Sequence, residues 1–246
     1  MPYFNAIFFD IGSTLIPSAE IIQRAAAHAC EQLARNKLIP SAPAFLSCYQ
    51  QADALVNPPH ISHIYSDARI INKAEELAGL PSDTRRVVFF LHAYRDAMRA
   101  QIQPSNEMLE LFARLERAGV QRGIISDGSL EGQSDVLFRL GLLPFISPGL
   151  CLISEAIGLT KSDPEVYRRA LALAQVEPAR ALMIGDRLDL DIAVPQSLGM
   201  KAALLRAHTP PAFIPQSIST SANEARPDYV FDRWEELQAW LLGLCV

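Results

Sequence analysis

AIFFDIG, residues 6–12, is a short apolar run that ends at an acidic residue and a glycine. Such a run is typical of a buried strand in a parallel sheet, which stops where polar side chains are needed. The pattern then becomes helical, because Ser18 is a suitable N-cap and apolar residues recur at helical spacing through about Arg35. The start of the chain therefore predicts a strand followed by a helix.

After Pro104 the sequence alternates between helical patterns and short apolar strands. It predicts helices over 107–118, 132–140, 164–174, 192–198 and 234–242, and strands over 121–125, 181–184, 201–205 and 229–231. This alternation is typical of an α/β fold with a doubly wound parallel sheet, as in Rossmann-like proteins.

The segment between the first strand and Pro104 lacks a clear strand pattern. Besides the helix that begins at Ser18, it predicts helices over 43–56, 62–78 and 83–101. We therefore expect an α/β core domain formed by residues 1–16 and 102–246, and an all-helical cap domain inserted at residues 17–101.

Composition limits the classes of function. The 246 residues carry a net charge of -5 and half of them are hydrophobic, which indicates a soluble protein with a core and offers no basic surface for nucleic acid. The four cysteines form no CxxC pair, so we expect reduced thiols. Neither a signal peptide nor a membrane-spanning run is present, and we expect a cytoplasmic protein without a membrane partner.

Polar residues follow three of the predicted strands: Asp10, Ser126 and Asp186. Ligands bind at the carboxyl ends of the strands in open α/β sheets, so these side chains can meet in one crevice. Lys161, next to a predicted helix start, can join them. Carboxylates, a hydroxyl and an ammonium form a site for an anionic group and a divalent cation, and we expect Mg²⁺.

Four segments resemble the motifs of the haloacid dehalogenase-like hydrolases, in the order usual for that family. They are Asp10-Ile11-Gly12-Ser13-Thr14-Leu15 (usually DxDxT), Ile124-Ile125-Ser126, Gly158-Leu159-Thr160-Lys161-Ser162-Asp163-Pro164, and Gly185-Asp186-Arg187-Leu188-Asp189-Leu190-Asp191-Ile192 (usually GDxxxND). One such motif alone carries little weight, but four in order are specific.

The resemblance implies a role for each matching residue. Asp10 would be the nucleophile, and Thr14 would orient it. Ser126, Asp127 and Lys161 would bind the transferring phosphoryl group and offset its charge. Mg²⁺ would be held by Asp10, the carbonyl of Gly12, Asp186 and Asp191. The implied activity is Mg²⁺-dependent hydrolysis of a small phosphorylated metabolite, with the catalytic set Asp10, Thr14, Ser126 and Lys161.

Gly12 is the main departure from the family pattern. The phosphatases of this family have a second aspartate there, which protonates the leaving oxygen and later helps water to attack. Loss of a positioned acid/base costs about 10²–10⁴ in rate. The substrate could instead have a good leaving group, such as an acyl phosphate, or the acid could come from the region of His60, His63 and Tyr65, or from Glu20.

Other functions stay open at this point. Phosphonoacetaldehyde hydrolases also have a small residue in place of the second aspartate and use a cap lysine, for which only Lys37 and Lys73 are available. Dehalogenation of haloacids fits less well, because it needs no metal, whereas Gly185-Asp186 and Asp191 favour Mg²⁺. A binding or regulatory protein with impaired turnover is favoured by Gly12, by Leu190 in place of the usual Asn and by Val194-Pro195 in place of the usual Gly-Ala. The retained Asp10, Lys161 and Asp186 are evidence against it.

Overall fold

The computed structural model describes residues 3–56, 67–208 and 226–244. The chain folds into two compact units. One combines Met1–Ala19 with Gln103–Val246, and the other is Glu20–Ile102. The cap and core roles expected for the corresponding segments of sequence remain a prediction.

The first unit contains a six-stranded, entirely parallel sheet. Its strands are β1 (Ala6–Phe9), β2 (Gln121–Ser126), β3 (Cys151–Ile153), β4 (Ala181–Gly185), β5 (Lys201–Leu205) and β6 (Tyr229–Phe231). They lie in the order β3-β2-β1-β4-β5-β6, so the chain moves outward in one direction from β1 and then in the other. The predicted α/β fold class is confirmed.

Helices flank both faces of this sheet. Successive side chains of β1 point to opposite faces, and those of Phe8 and Phe9 each meet a helix. Phe8 belongs to a buried cluster with Tyr167, and the Phe9 ring packs 4.9 Å from that of Phe112. Tyr167 and Phe112 come from different helices. The apolar run of β1 is therefore buried on both sides, which explains why its side chains do not alternate in polarity.

Three of the six α-helices described in this unit, α5, α6 and α8, begin after a residue whose side chain caps them. They are α5 (Asn106–Arg117), α6 (Leu130–Arg139), α7 (Ser154–Ile157), α8 (Pro164–Ala174), α9 (Val194–Ser197) and α10 (Trp234–Gly243), and short 3-10 turns occur at Leu143–Phe145 and Pro178–Arg180. The Ser105 side chain caps α5 by accepting a hydrogen bond from the backbone of Met108, and Asp163 caps α8 ahead of Pro164.

The secondary-structure elements among the described residues of the second unit are all helices, and loops connect them. It contains most of α1 (Ser18–Arg35), with α2 (Ala42–Val56), α3 (Asp67–Leu77) and α4 (Thr84–Gln101). Its core includes the stacked rings of Tyr49 and Phe90, with centroids 5.0 Å apart. A buried ion pair crosses this core, since Arg86 Nη1 lies 2.5 Å from Glu75 Oε1. Arg86 also donates to the carbonyl of Leu38 over 2.9 Å, so the pair fastens α3, α4 and the segment after α1 together.

The structure differs from the predicted elements at β3, at α7 and in the turn after β4. Strand β3 is not among the predicted strands, because three residues are too few to show a pattern. The helix predicted over 192–198 is instead a π-helical turn, Leu188–Ala193, followed by α9. The predicted helix over 62–78 lies partly outside the described residues, as do the His60, His63 and Tyr65 proposed as acid donors.

Within the described ranges, every helix is either too short or too polar to cross a bilayer.

Candidate active site

The three polar residues that follow predicted strands do meet at one edge of the sheet. β1 lies between β2 and β4, and Phe9 pairs with Ile124 on one side and with Ile184 on the other. Asp10 therefore stands between Ser126 and Asp186, at the point where the direction of strand order reverses. Crevices at such points are the usual ligand sites of open α/β sheets.

Asp10 is buried and held firmly. Its backbone N–H donates to the carbonyl of Ile184 over 2.9 Å. The Ser126 hydroxyl and the Lys161 ammonium both donate to the same carboxylate oxygen, Oδ1, over 3.0 and 2.8 Å. Both of these bonds reach Oδ1, and among the described residues Oδ2 accepts no hydrogen bond, so the carboxylate is oriented before any substrate binds.

Lys161 connects Asp10 with the acidic turn after β4, which is formed by residues 186–191. Its ammonium also donates to Asp191 Oδ1 over 2.8 Å, and its backbone N–H donates to Asp127 Oδ1 over 3.0 Å. Burial alone would lower the pKa of Lys161, but the carboxylates of Asp10 and Asp191 outweigh it and raise this pKa well above the ordinary value. Lys161 is thus a permanent cation beside Asp10.

The acidic turn after β4 contributes two carboxylates. Burial raises the pKa of Asp186 to about 7, and the nearby charges of Asp191 and Asp10 act in the same direction. Burial also raises the pKa of Asp191 to about 6, against the lowering effect of Lys161. Three carboxylates share one lysine here, so the cluster holds more negative than positive charge.

A divalent cation fits this set of donors. One carboxylate oxygen from each of Asp10, Asp186 and Asp191 lies within 4.8 Å of the other two. Hard oxygen ligands at such spacing suit Mg²⁺, whose charge would offset the burial and the repulsion that raise the pKa values of Asp186 and Asp191. Both oxygens of Asp191 already accept hydrogen bonds, from Lys161 and from the backbone N–H of Arg187, so Asp10 and Asp186 have the less committed oxygens.

Gly185 has a steric reason to be glycine. A Cβ at this position would collide with the side chain of Asp191, which lies against the end of β4. Gly185 therefore leaves room for the side chain of Asp191, and the residue that follows it, Asp186, is a second acidic residue of the cluster.

Gly12 has no such constraint. A Cβ built there would lie 3.5 Å from Ser18 Oγ and 3.9 Å from Asp10 Oδ2, which are ordinary contact distances. The Ser18 hydroxyl accepts a hydrogen bond from the backbone N–H of Ser13 over 3.2 Å. A Cβ at position 12 would thus meet no clash beside Asp10, so crowding at this atom does not explain the glycine.

The remaining predicted site residues occupy less direct positions. Thr14 is fully buried, and its Oγ1 has no hydrogen-bond partner among the described residues, so its orienting role stays a prediction. Asp127 supports the backbone of Lys161, and its contact with substrate also stays a prediction. In the second unit, Lys73 pairs with Glu76 over 2.8 Å, the ordinary arrangement for a surface lysine. Glu20 pairs with Arg24 in the same way.

Sequence reasoning missed one residue that touches the acidic turn. The Tyr167 hydroxyl donates to the backbone carbonyl of Leu190 over 2.9 Å. In the sequence Tyr167 is indistinguishable from an ordinary core aromatic of α8, since nothing local marks its contact with a residue 23 positions away.

Comparison with known proteins agrees with this geometry. A family model described as haloacid dehalogenase-like hydrolase matches residues 4–199. The chain belongs to this family, and it is a hydrolase of the haloacid dehalogenase-like type.

Two curated relatives illustrate the range of similarity. The glyceraldehyde 3-phosphate phosphatase of Methanopyrus kandleri is 25% identical over 95% of both chains. The phosphoserine phosphatase of Thermus thermophilus is 30% identical over 54% of this chain and 52% of its own.

Solved structures share the fold. The HAD-hydrolase YfnB from Bacillus subtilis is similar with a TM-score of 0.67 and 20% identity, covering 97% of this chain and 98% of its own. A 2-haloacid dehalogenase from Pseudomonas syringae reaches a TM-score of 0.64 with 22% identity over 98% of both chains. At these identities the likeness concerns the fold alone.

Proposed function

We propose that the protein is a Mg²⁺-dependent phosphatase that acts on a small phosphorylated metabolite through an aspartyl-phosphate at Asp10. The observation that carries the proposal is the arrangement of Asp10. One of its oxygens is held by Ser126 and Lys161, and its carboxylate lies in a cluster with two further acids. The relatives named as phosphatases support the same reaction class.

The first step is attack of Asp10 Oδ2 on phosphorus. An oxygen–phosphorus bond forms, and the bond from phosphorus to the leaving oxygen breaks with its electron pair on that oxygen. The Ser126 hydroxyl and the Lys161 ammonium would turn from Asp10 Oδ1 to the phosphoryl oxygens and offset their charge. In the second step water attacks the phosphorus, and the bond from phosphorus to Asp10 Oδ2 breaks with its electron pair on Oδ2. The proton of the attacking water passes to a phosphoryl oxygen or to solvent, so inorganic phosphate is released and the Asp10 carboxylate is regenerated.

Asp10, Asp186, Asp191 and the carbonyl of Gly12 would hold the metal. Bound Mg²⁺ would supply positive charge for the phosphoryl oxygens and relieve the repulsion between nucleophile and substrate. The chain itself contributes the orientation of Asp10, which the backbone of Ile184 and the side chains of Ser126 and Lys161 maintain.

Gly12 determines which substrates would turn over best. No acid stands at this position to protonate the leaving oxygen, so the reaction would favour leaving groups that depart as stable anions. Acyl phosphates and aryl phosphates meet this condition, whereas the alkyl phosphates named for the relatives, glyceraldehyde 3-phosphate and phosphoserine, have poorer leaving groups. We expect acetyl phosphate to be hydrolysed faster than either alkyl phosphate.

The test measures phosphate release from acetyl phosphate, p-nitrophenyl phosphate, glyceraldehyde 3-phosphate and phosphoserine, with and without Mg²⁺. Turnover should require Mg²⁺ and should be lost in Asp10→Asn, which keeps the size of the side chain but not its nucleophilicity. Asp189→Asn is the matched control, since Asp189 is exposed and pairs with Arg187 outside the acidic cluster. Equal activity of Asp10→Asn and the wild type would refute the proposal.

A folded, Mg²⁺-binding wild type that hydrolyses none of these phosphates would point to the second candidate, a binding protein with the hydrolase fold. The specific feature that favours this candidate is Gly12.

A further inference from the structure

A buried tyrosine contacts the turn that carries the acidic ligands. Tyr167 is fully buried in α8, and its hydroxyl donates to the carbonyl of Leu190, the residue before Asp191. Burial raises the pKa of Tyr167, so the hydroxyl stays protonated and remains a donor. The proposed phosphatase reaction does not use this group.

The Leu190 carbonyl needs such a donor because of the geometry of its turn. Leu188–Ala193 forms a π-helical turn, in which a carbonyl accepts from the N–H five residues ahead. Five residues after Leu190 stands Pro195, which has no N–H. Proline suits the start of α9 there, but it removes the donor that would continue the π-helical pattern.

We infer that the Tyr167 hydroxyl replaces the missing N–H of Pro195 and thereby holds the turn in the form that presents Asp191 to the site. Tyr167 is therefore a positioning residue. The N–H that is missing at Pro195 is thus compensated by a side chain of α8, so this departure from the family pattern does not indicate a loss of function.

The position of Asp191 depends on this turn through several bonds. Its backbone N–H donates to the carbonyl of Arg187 over 2.8 Å, and its Oδ2 accepts from the Arg187 N–H over 3.1 Å. Its Oδ1 accepts from Lys161. A turn that loosened at Leu190 would therefore move the carboxylate away from Lys161 and free the Arg187 and Asp191 amides for exchange with solvent.

The test is a double-mutant cycle on the metal-free protein, with Tyr167→Phe, Pro195→Ala and the two combined. Phe removes only the hydroxyl, and Ala at 195 restores an N–H five residues after Leu190. In Tyr167→Phe the Arg187 and Asp191 amides should exchange about tenfold faster, because a buried carbonyl has lost its donor. The double variant should return to within about twofold of the wild type, and Pro195→Ala alone should change little.

Tyr229→Phe is the control, because Tyr229 is a tyrosine of the edge strand β6, away from the acidic turn. In Tyr229→Phe the amides of Arg187 and Asp191 should exchange at the same rate as in the wild type. Unchanged exchange in Tyr167→Phe, or accelerated exchange that Pro195→Ala does not reverse, would overturn the inference. If Tyr167→Phe does not fold, recovery of folding in the double variant supports the inference, and failure to recover refutes it.

Calorimetric titration with Mg²⁺ gives a second readout, which rests on the proposed function. The dissociation constant should rise about tenfold in Tyr167→Phe and fall back in the double variant. If Tyr167→Phe only lowered the overall stability, the melting temperature would fall, but the dissociation constant for Mg²⁺ would not rise and then recover in the double variant. A wild type that binds no Mg²⁺ would count against the proposed function, while the exchange measurements would still decide the role of Tyr167.

Discussion

Substitution of Gly12 by Asp would place an acid/base group at the position that is glycine in this chain. A Cβ at position 12 would meet Ser18 Oγ at 3.5 Å and Asp10 Oδ2 at 3.9 Å, which are ordinary van der Waals distances, so the backbone position accepts a side chain. In the proposed reaction Asp10 Oδ2 attacks phosphorus, and the Cβ of an aspartate at position 12 would lie 3.9 Å from this oxygen. We therefore expect a gain in activity without a loss of fold.

The size of the gain follows from what general acid catalysis contributes. A positioned acid is worth about 10²–10⁴ in rate, or about 3–5 kcal/mol of activation free energy. The gain should be largest for phosphoserine and glyceraldehyde 3-phosphate, whose leaving oxygens need a proton. It should be small for acetyl phosphate, whose leaving group departs as a stable anion.

The assay compares kcat/KM of the wild type and Gly12→Asp on these three substrates under saturating Mg²⁺. Gly12→Asn is the matched control, because it fills the same space and cannot transfer the proton. An equal gain in the Asn variant would show that the effect is one of packing. A folded Gly12→Asp protein that binds Mg²⁺ and gains nothing on the alkyl phosphates would refute the idea that only the acid is missing.

Two further predictions concern charge. Glu75→Ala should lower the free energy of unfolding by about 3–5 kcal/mol in urea titration, since it leaves the buried guanidinium of Arg86 unpaired. Glu76→Ala, which breaks an exposed pair, should cost under about 1 kcal/mol, and equal losses would contradict the prediction. Because the pKa of Asp186 is raised to about 7, the folded metal-free protein holds a proton that the unfolded chain has released above about pH 4. The melting temperature of the metal-free protein should therefore fall as pH rises from about 4 to about 7. The affinity for Mg²⁺ should instead rise toward pH 7. A pH-independent affinity would contradict this prediction.

The meeting of Asp10, Ser126 and Asp186 could be predicted because parallel strands bring their carboxyl ends to one edge. The pattern of β1 and β4 is enough for two of these residues, since their apolar runs are continuous and Asp10 and Asp186 follow them. In β2 the shorter apolar pair Ile124-Ile125 ends at Ser126. β3 escaped prediction because it has only three residues and owes its existence to pairing with Ile124–Ser126.

The bonds within the site could not be predicted in the same way. Ser126 and Lys161 converge on the same oxygen of Asp10 although they lie 116 and 151 residues away from it in the chain. The orienting role of Thr14 stays a prediction, because its buried Oγ1 has no hydrogen-bond partner among the described residues. Which oxygen accepts which proton is decided by distances of a few tenths of an ångström, and residue types and spacing do not encode these.

The sequence by itself determined the class of the protein: an α/β hydrolase whose motifs occur in family order, because strand patterns and their terminal residues are local properties of the chain. Only the tertiary structure decided how the acidic turn is held. Pro195 removes a donor from that turn and Tyr167 supplies one from α8, and the two are connected through the carbonyl of Leu190. This connection exists only when β-strands and helices have packed, because packing brings the hydroxyl of one helix within 2.9 Å of a carbonyl that belongs to another segment.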